Sequence, residues 1–213
     1  TSHQLRTPLA VLKAQVQSAQ RGDLEPAEAL REIGHTVGRA TELANQMLAL
    51  AKVEQLRQQG EPSRVDWAEI VRAVAIDLSP LIADHELDFD IETVSAPVLA
   101  HEWALRELTR NLLHNAIKHT PDGGRLSVAL AVEAGQARLT IADSGGGIAE
   151  EQRQRLFQPF AAGESSARDP NGSVGLGLAI CHEIVQSLHG HITLDNRIDG
   201  AGSADLTRLV ATD

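Results

Sequence analysis

The stretch ELTRNLLHNAIKHTP, Glu107 to Pro121, decides how the rest of the chain is read. Leu108 and Leu112 recur one helical turn apart and mark a buried side. Asn111 and Asn115 share another side, with Lys118 one turn further on. Two carboxamides and an ammonium along one helix face suit a hydrated Mg2+ and phosphate oxygens, because Mg2+ takes oxygen ligands and keeps several waters. A solvated polar face is the alternative for this segment taken alone. The run ends at Thr120-Pro121-Asp122-Gly123-Gly124, a strong stop signal, so the spacing predicts a helix from about Glu102 to His119.

Downstream, Arg125 to Val132 and Gln136 to Asp143 read as two strands paired around Glu133-Ala134-Gly135. The second strand runs into Asp143-Ser144-Gly145-Gly146-Gly147. Glycine lets a backbone approach a ligand closely, and a carboxylate at a strand end can accept from an exocyclic amine. An ordinary turn is the plain alternative. A short helix to about Phe157 and a loop from Gln158 to Val174 follow. The loop exceeds the roughly 12–15 residues usual for structureless connections in a compact domain, which points to function. Gly172-Ser173-Val174-Gly175-Leu176-Gly177-Leu178 then opens an apolar helix predicted from about Gly175 to Leu188. Free N–H groups and the dipole at such a helix start attract phosphate. The pattern is neither a Rossmann fingerprint nor a Walker loop, which need a preceding strand and G-K-[ST] respectively. Two strands close the chain, the last from Leu206 to Val210. Upstream, Asp66 caps a helix predicted to run to about Ala83, and Leu87 to Ile91 alternates like a strand.

Residues 1 to about 57 have another character. Leu5, Leu9, Leu12, Val16 and Ala19 make one heptad-like seam; Leu30, Ile33, Val37, Ala40, Ala44, Met47 and Ala51 make a second, which Leu43, Leu48 and Leu50 widen beyond a simple two-helix stripe. Arg21-Gly22-Asp23-Leu24-Glu25-Pro26 between them supplies a C-cap glycine and a helix-starting proline. Two helices cannot bury so wide an apolar face alone. Dimerisation into a four-helix bundle solves this, and packing on the rest of the chain is the alternative. Gln58 to Arg64 reads as a polar linker, which divides the chain into a helical domain over 1–60 and a mixed α/β domain over 61–213. His3 lies off the first seam and is expected to face solvent. Pro8 follows a turn later and bends the helix beside it.

Composition narrows the function classes. The net charge of −10 argues against non-specific binding to nucleic acid or to an anionic membrane. Aromatic residues are 2% with no Tyr, so the core must be aliphatic and base-stacking platforms are scarce. Cys181 is the single cysteine, so no intrachain disulfide can form. No run reaches the roughly 18 apolar residues of a membrane helix. The chain opens in mid-pattern at Thr1 without Met. It is therefore expected to be a cytoplasmic fragment without direct membrane contact, with any anchor of the parent protein upstream.

An off-seam His, the Asn-rich helix, D-x-G-x-G, Phe157-Gln158-Pro159-Phe160 and G-x-x-G-L-G-L occur in this order. In that order the chain resembles the sensor histidine kinases of two-component systems over nearly its whole length. The resemblance implies an α+β architecture: a helical hairpin forming a dimeric four-helix bundle through residues 1–57, then an α/β-sandwich ATP-binding domain of the Bergerat (GHKL) type. It implies ATP and Mg2+ as ligands and a response-regulator receiver domain as partner. His3 becomes the phospho-accepting nucleophile, Gln4 its neighbour in the acid position, and Thr7 a residue that helps position water for dephosphorylating the regulator. Asn115 becomes the Mg2+ ligand with Asn111 assisting, and Lys118 reaches phosphate oxygens. Asp143 accepts from the adenine amino group beside Gly145 and Gly147. Gly172, Gly175, Leu176 and Gly177 line the triphosphate, and Phe157 and Phe160 anchor a lid. Two departures stand out. Gln4 replaces the usual Glu or Asp, and Ala161-Ala162 stands where many relatives have an aromatic and an Arg. An ATP-binding scaffold or phosphatase-dominant regulator is the alternative function.

Overall fold

A computed structural model of the chain describes residues 2–23, 25–55, 61–149, 156–158, 176–196 and 203–210; the side chains at 2–5, 42, 50, 54–55 and 203–210 are outside that description. Helices α1 (Ser2–Arg21) and α2 (Pro26–Gln55) form the expected hairpin. Gly22 ends α1 at φ +76°, and its N–H and that of Asp23 bond the carbonyls of Ala19 and Ser18, a Schellman closure. Pro26 opens α2, where its missing N–H costs nothing.

The seam on α2 is rotated from the one read in the sequence. Ala29, Thr36, Leu43, Gln46 and Val53 are the buried positions, whereas Leu30 is 70% exposed and Val37 45%. Each buried residue from Ala29 to Gln46 precedes a seam position by one residue, a turn of about 100°. α2 thus buries one face within the chain and leaves a second apolar face uncovered. Its C-terminal half does not stand apart from the second domain. Leu43 and Val53 join the same core as Trp67 and Leu105, α2 packs along the later helix Gly177–Ser187, and Lys52 Nζ sits 4.3 Å from the Trp103 ring centroid. Packing on the rest of the chain, the alternative to dimerisation, is therefore realised for this half of α2.

The second domain comprises β1 (Ser63–Asp66), α3 (Trp67–Asp77), α4 (Ser79–Asp84), β2 (Asp88–Thr93), β3 (Pro97–Ala100), α5 (Glu102–His119), β4 (Arg125–Glu133) and β5 (Gln136–Asp143). After these come α6 (Gly177–Ser187), β6 (His191–Asn196) and β7 (Ser203–Val210). Five strands form one sheet in the order β2-β4-β5-β7-β6, parallel only at β2–β4. α5 lies against β5 with α3 and α6 beside it, and Leu105, Leu108, Leu112, Leu126, Leu139, Ile141 and Ile180 fill the aliphatic core. Trp67 is wholly buried and satisfies its indole N–H on Thr109 Oγ1 at 3.1 Å.

Two further expectations need correction, and one strand had no expectation. The helix predicted from Asp66 to Ala83 is two helices, because Pro80 cannot donate to the Ile76 carbonyl; Ser79 Oγ bonds that carbonyl instead, at 2.8 Å. Ser63 and Arg64 are not linker: they begin β1, which pairs with β3 in a small separate sheet. The strand β3 was not foreseen at all. Asp66 caps α3 as expected, accepting from Ala68 N at 3.0 Å, and also ties down the approach to β3 through Ala96 N and Ser95 Oγ. Burial raises the pKa of this carboxyl, but the hydrogen bonds from Ala96, Ser95 and Ala68, with the Arg72 charge, outweigh that and hold it below its ordinary value.

Candidate functional site

The polar face of α5 runs between two features that the sheet and α6 bring to it. At one end Asn111 meets the start of α6. Its amide nitrogen donates to the Glu107 carbonyl at 2.9 Å and to Glu107 Oε1 at 2.8 Å. That commitment turns Oδ1 toward Gly177, where a Cβ would stand only 3.2 Å from the oxygen. A glycine at the first position of α6 therefore allows the helix start and the Asn111 oxygen to approach closely. Leu176, buried at the N-cap, makes no side-chain cap hydrogen bond, in keeping with an anion-accepting helix start.

At the other end, His119 closes α5 against the loop that leaves β5. A Cβ on Gly145 would strike the His119 carbonyl oxygen and lie 2.8 Å from Asp143 Oδ1. Asp143 is 4% exposed, and its Oδ1 accepts from Gly145 N at 2.7 Å. Gly147 holds φ +72°, in the left-handed region, with Asn196 Oδ1 2.9 Å from the place of its Cβ. Gly145 and Gly147 are thus required by packing within the chain, whatever else approaches them. Asn115 and Lys118, both half-buried, lie on α5 between the two ends. Eight residues of helix place Asn111 and His119 about 12 Å apart along the axis.

The structure accordingly brings together Asn111, Asn115, Lys118, Gly177 and, at the far end, Asp143 with Gly145 and Gly147. Position 3 falls in the first turn of α1 with Gln4 beside it, though both side chains are outside the description; Thr7 is exposed and Pro8 lies within the helix. Phe160, Gly172, Gly175, the short helix before Phe157 and nearly all of the long loop lie outside the described residues. Phe157 is described, its ring 5.5 Å from that of His182 on α6. Two contributors were missed. Glu107 orients Asn111 from one turn back, a spacing that could have been read. Asn196 holds the loop after Asp143 from a strand 48 residues away from Ile148, and no local signal announces it.

The donor set fits the groups the sequence implied. An amide oxygen turned toward a helix start suits an oxygen-seeking cation, and a helix start whose N-cap residue makes no side-chain bond suits phosphate.

Known proteins agree on the lineage. Residues 1–56 match the family model for the His Kinase A (phospho-acceptor) domain, and residues 100–208 match that for the histidine kinase-, DNA gyrase B-, and HSP90-like ATPase. The chain is 31% identical over 194 residues to the signal transduction histidine-protein kinase BaeS of Escherichia coli, covering 90% of this chain and 41% of BaeS. It therefore spans less than half the length of that curated relative. Among solved structures, the histidine kinase AdeS of Acinetobacter baumannii aligns with a TM-score of 0.79 at 25% identity, over 99% of this chain and 98% of that one. The histidine kinase ThkA, solved in complex with the response regulator protein TrrA, shares the fold at TM-score 0.79 and 21% identity, over 99% of this chain and 60% of ThkA. With a phospho-acceptor hairpin followed by an ATP-binding domain of this type, the chain belongs to the sensor histidine kinases of two-component systems.

Proposed function

We propose that the chain binds Mg·ATP along the strip from Asp143 to Gly177, transfers the γ-phosphoryl group to His3, and passes it on to an aspartate of a response-regulator receiver domain. The observation that carries this reading is Asn111 Oδ1 standing 3.2 Å from the place of a Cβ on Gly177, at a helix start where the N-cap residue Leu176 makes no side-chain hydrogen bond. Asn115 and Asn111 supply oxygens for Mg2+, whose bound charge offsets that of the phosphates. Lys118 and the first N–H groups of α6, with Gly172, Gly175, Leu176 and Gly177, receive the phosphates, and Phe160 anchors the loop over them. Asp143 accepts from the adenine amino group. The His3 ring nitrogen attacks in line, and catalysis is mainly positioning and electrostatics. Thr7, which is exposed one turn along α1, helps position water for hydrolysis of the regulator's phosphoaspartate, which releases inorganic phosphate.

The division falls between a hairpin over 1–60 and an ATP-binding domain over 61–213. The hairpin pairs with a second copy through residues 1–57, which would cover Leu9, Val16, Leu30, Val37 and Leu48, all exposed in the single chain. ATP as donor places the reaction in the cytoplasm. Among the described residues no helix is long and apolar enough to cross a membrane.

Gln4 favours a second reading, a regulator dominated by phosphatase activity. A carboxamide can fix the tautomer of His3 but cannot take its proton. General-base help contributes on the order of 10²–10⁴ in rate. Incubation with γ-labelled ATP and Mg2+ should give slow, acid-labile, alkali-stable labelling, and Gln4→Glu should speed it by about 100-fold, the low end of that range. No labelling in either chain would sink the kinase reading. Equal rates would remove the role given to Gln4.

A further inference from the structure

We infer that Asn196 is a positioning residue for nucleotide binding, fixing the loop 143–148 that carries Asp143; this rests on the proposed reading of the site. Asn196 ends β6, at the edge of the sheet and two strands from β5. The registers set Asn196 opposite Ser203 and Ala142 opposite Ala204, so Asn196 and Asp143 lie at the same end of the sheet. The loop leaving Asp143 reaches across to it. Asn196 Oδ1 accepts the Ile148 N–H at 2.7 Å, and its Nδ2 donates to the Ile148 carbonyl at 2.9 Å.

Only a carboxamide offers an acceptor and a donor side by side for the two polar groups of one residue's backbone. Asp would keep the first bond and lose the second; Ala would lose both. Gly147 is part of the same device, because its left-handed backbone brings the place of its Cβ to 2.9 Å from the Asn196 oxygen. Beyond the bonds that tie Ser144 to Arg125, from Ser144 N to the Arg125 carbonyl at 3.0 Å and from Arg125 N to Ser144 Oγ at 2.8 Å, the loop has two anchors. One is the bond from Gly145 N to Asp143 beside the end of α5, and the other is the Asn196 clamp. Between them lies Gly146, where a Cβ would meet nothing. The clamp stands outside the Asn111–Lys118 strip, and Asn196 meets the loop at Gly147 and Ile148, where His119 meets it at Gly145. Its effect on the nucleotide is exerted through the position of the loop.

Calorimetric titration of the full chain with ADP and Mg2+ tests this. Losing both hydrogen bonds loosens the loop in the unbound chain, so Asn196→Ala should bind ADP about tenfold more weakly. Asn196→Asp should fall between Ala and the parent. Labelling of His3 at saturating ATP should stay close to the parent rate, because the lost interaction serves binding and not the transfer step. Gly147→Ala should weaken binding less in the Asn196→Ala background than in the parent, since the amide oxygen it would strike is gone. A lowered Tm with parent-like affinity would mean a structural role alone and would overturn the inference, as would additive effects of the two substitutions. Failure of the parent chain itself to bind ADP would overturn the reading of the site instead.

Discussion

A His3→Ala chain should take up no acid-labile phosphate from γ-labelled ATP, yet bind ADP with Mg2+ as tightly as the parent. The substitution removes the only group assigned to accept the phosphoryl. Position 3 lies in the first turn of α1, while the residues assigned to the nucleotide belong to α5, α6 and the loop after β5. Losing a nucleophile abolishes a covalent step outright, so the expected signal is background. The chain has nine histidines, which makes the comparison informative. His182 faces Phe157, and His85 pairs with Asp122 at 2.7 Å, each in a setting unrelated to phosphate transfer. Label that persists in His3→Ala would move the acceptor elsewhere. Label lost together with ADP affinity would mean that the hairpin contributes to the nucleotide site.

The second large effect belongs to Gly145→Ala. The new methyl would collide with the His119 carbonyl and crowd Asp143 Oδ1, and neither a helix-end backbone nor a buried carboxylate can step aside cheaply. The loop would have to leave α5, taking Asp143, proposed to accept from adenine, out of register with Asn115 and Lys118. ADP affinity should fall by at least about 100-fold, or roughly 2.8 kcal/mol, and Tm should drop as well. Gly146→Ala is the matched control, since its methyl would enter open space and should leave affinity near that of the parent. Equal effects from the two alanines would show that the loop is not held against α5 as described.

These expectations rest on features that differ in how far the sequence discloses them. The limits of α5, β4 and β5 are written in adjacent residues: a Pro-Asp-Gly-Gly stop, an Ala-Gly turn and alternating apolar positions. The polar strip of α5 was legible for the same reason, because its residues are neighbours in one helix. The break between α3 and α4 was also written, in Pro80, but the apolar run across it concealed the joint. The strand pair β1–β3 was not legible. Its partners stand more than thirty residues apart in the sequence, and each strand is too short to show a period.

The seam of α2 failed for a different physical reason. A helix with apolar residues on two faces has two defensible stripes, and only tertiary packing selects which one turns inward. Here Ala29, Thr36 and Leu43 turn inward, and Leu43 and Val53 meet the second domain. Leu30, Val37 and Leu48 are left for another surface. Asn196 illustrates the same limit at the site, because its clamp on Ile148 exists only once β6 has paired with β7 and β7 with β5.

Everything proposed for His3 presupposes that an adenine nucleotide settles between Asp143 and the start of α6 with its metal on the Asn111–Asn115 side. Calorimetric titration of the parent chain with ATP, with Mg2+ present and then with the metal chelated, addresses this most directly. The account predicts saturable binding of one nucleotide per chain, weakened at least about tenfold by chelation, since the phosphates then face the amide oxygens without a bridging cation. Absence of saturable binding, or binding indifferent to Mg2+, would contradict it.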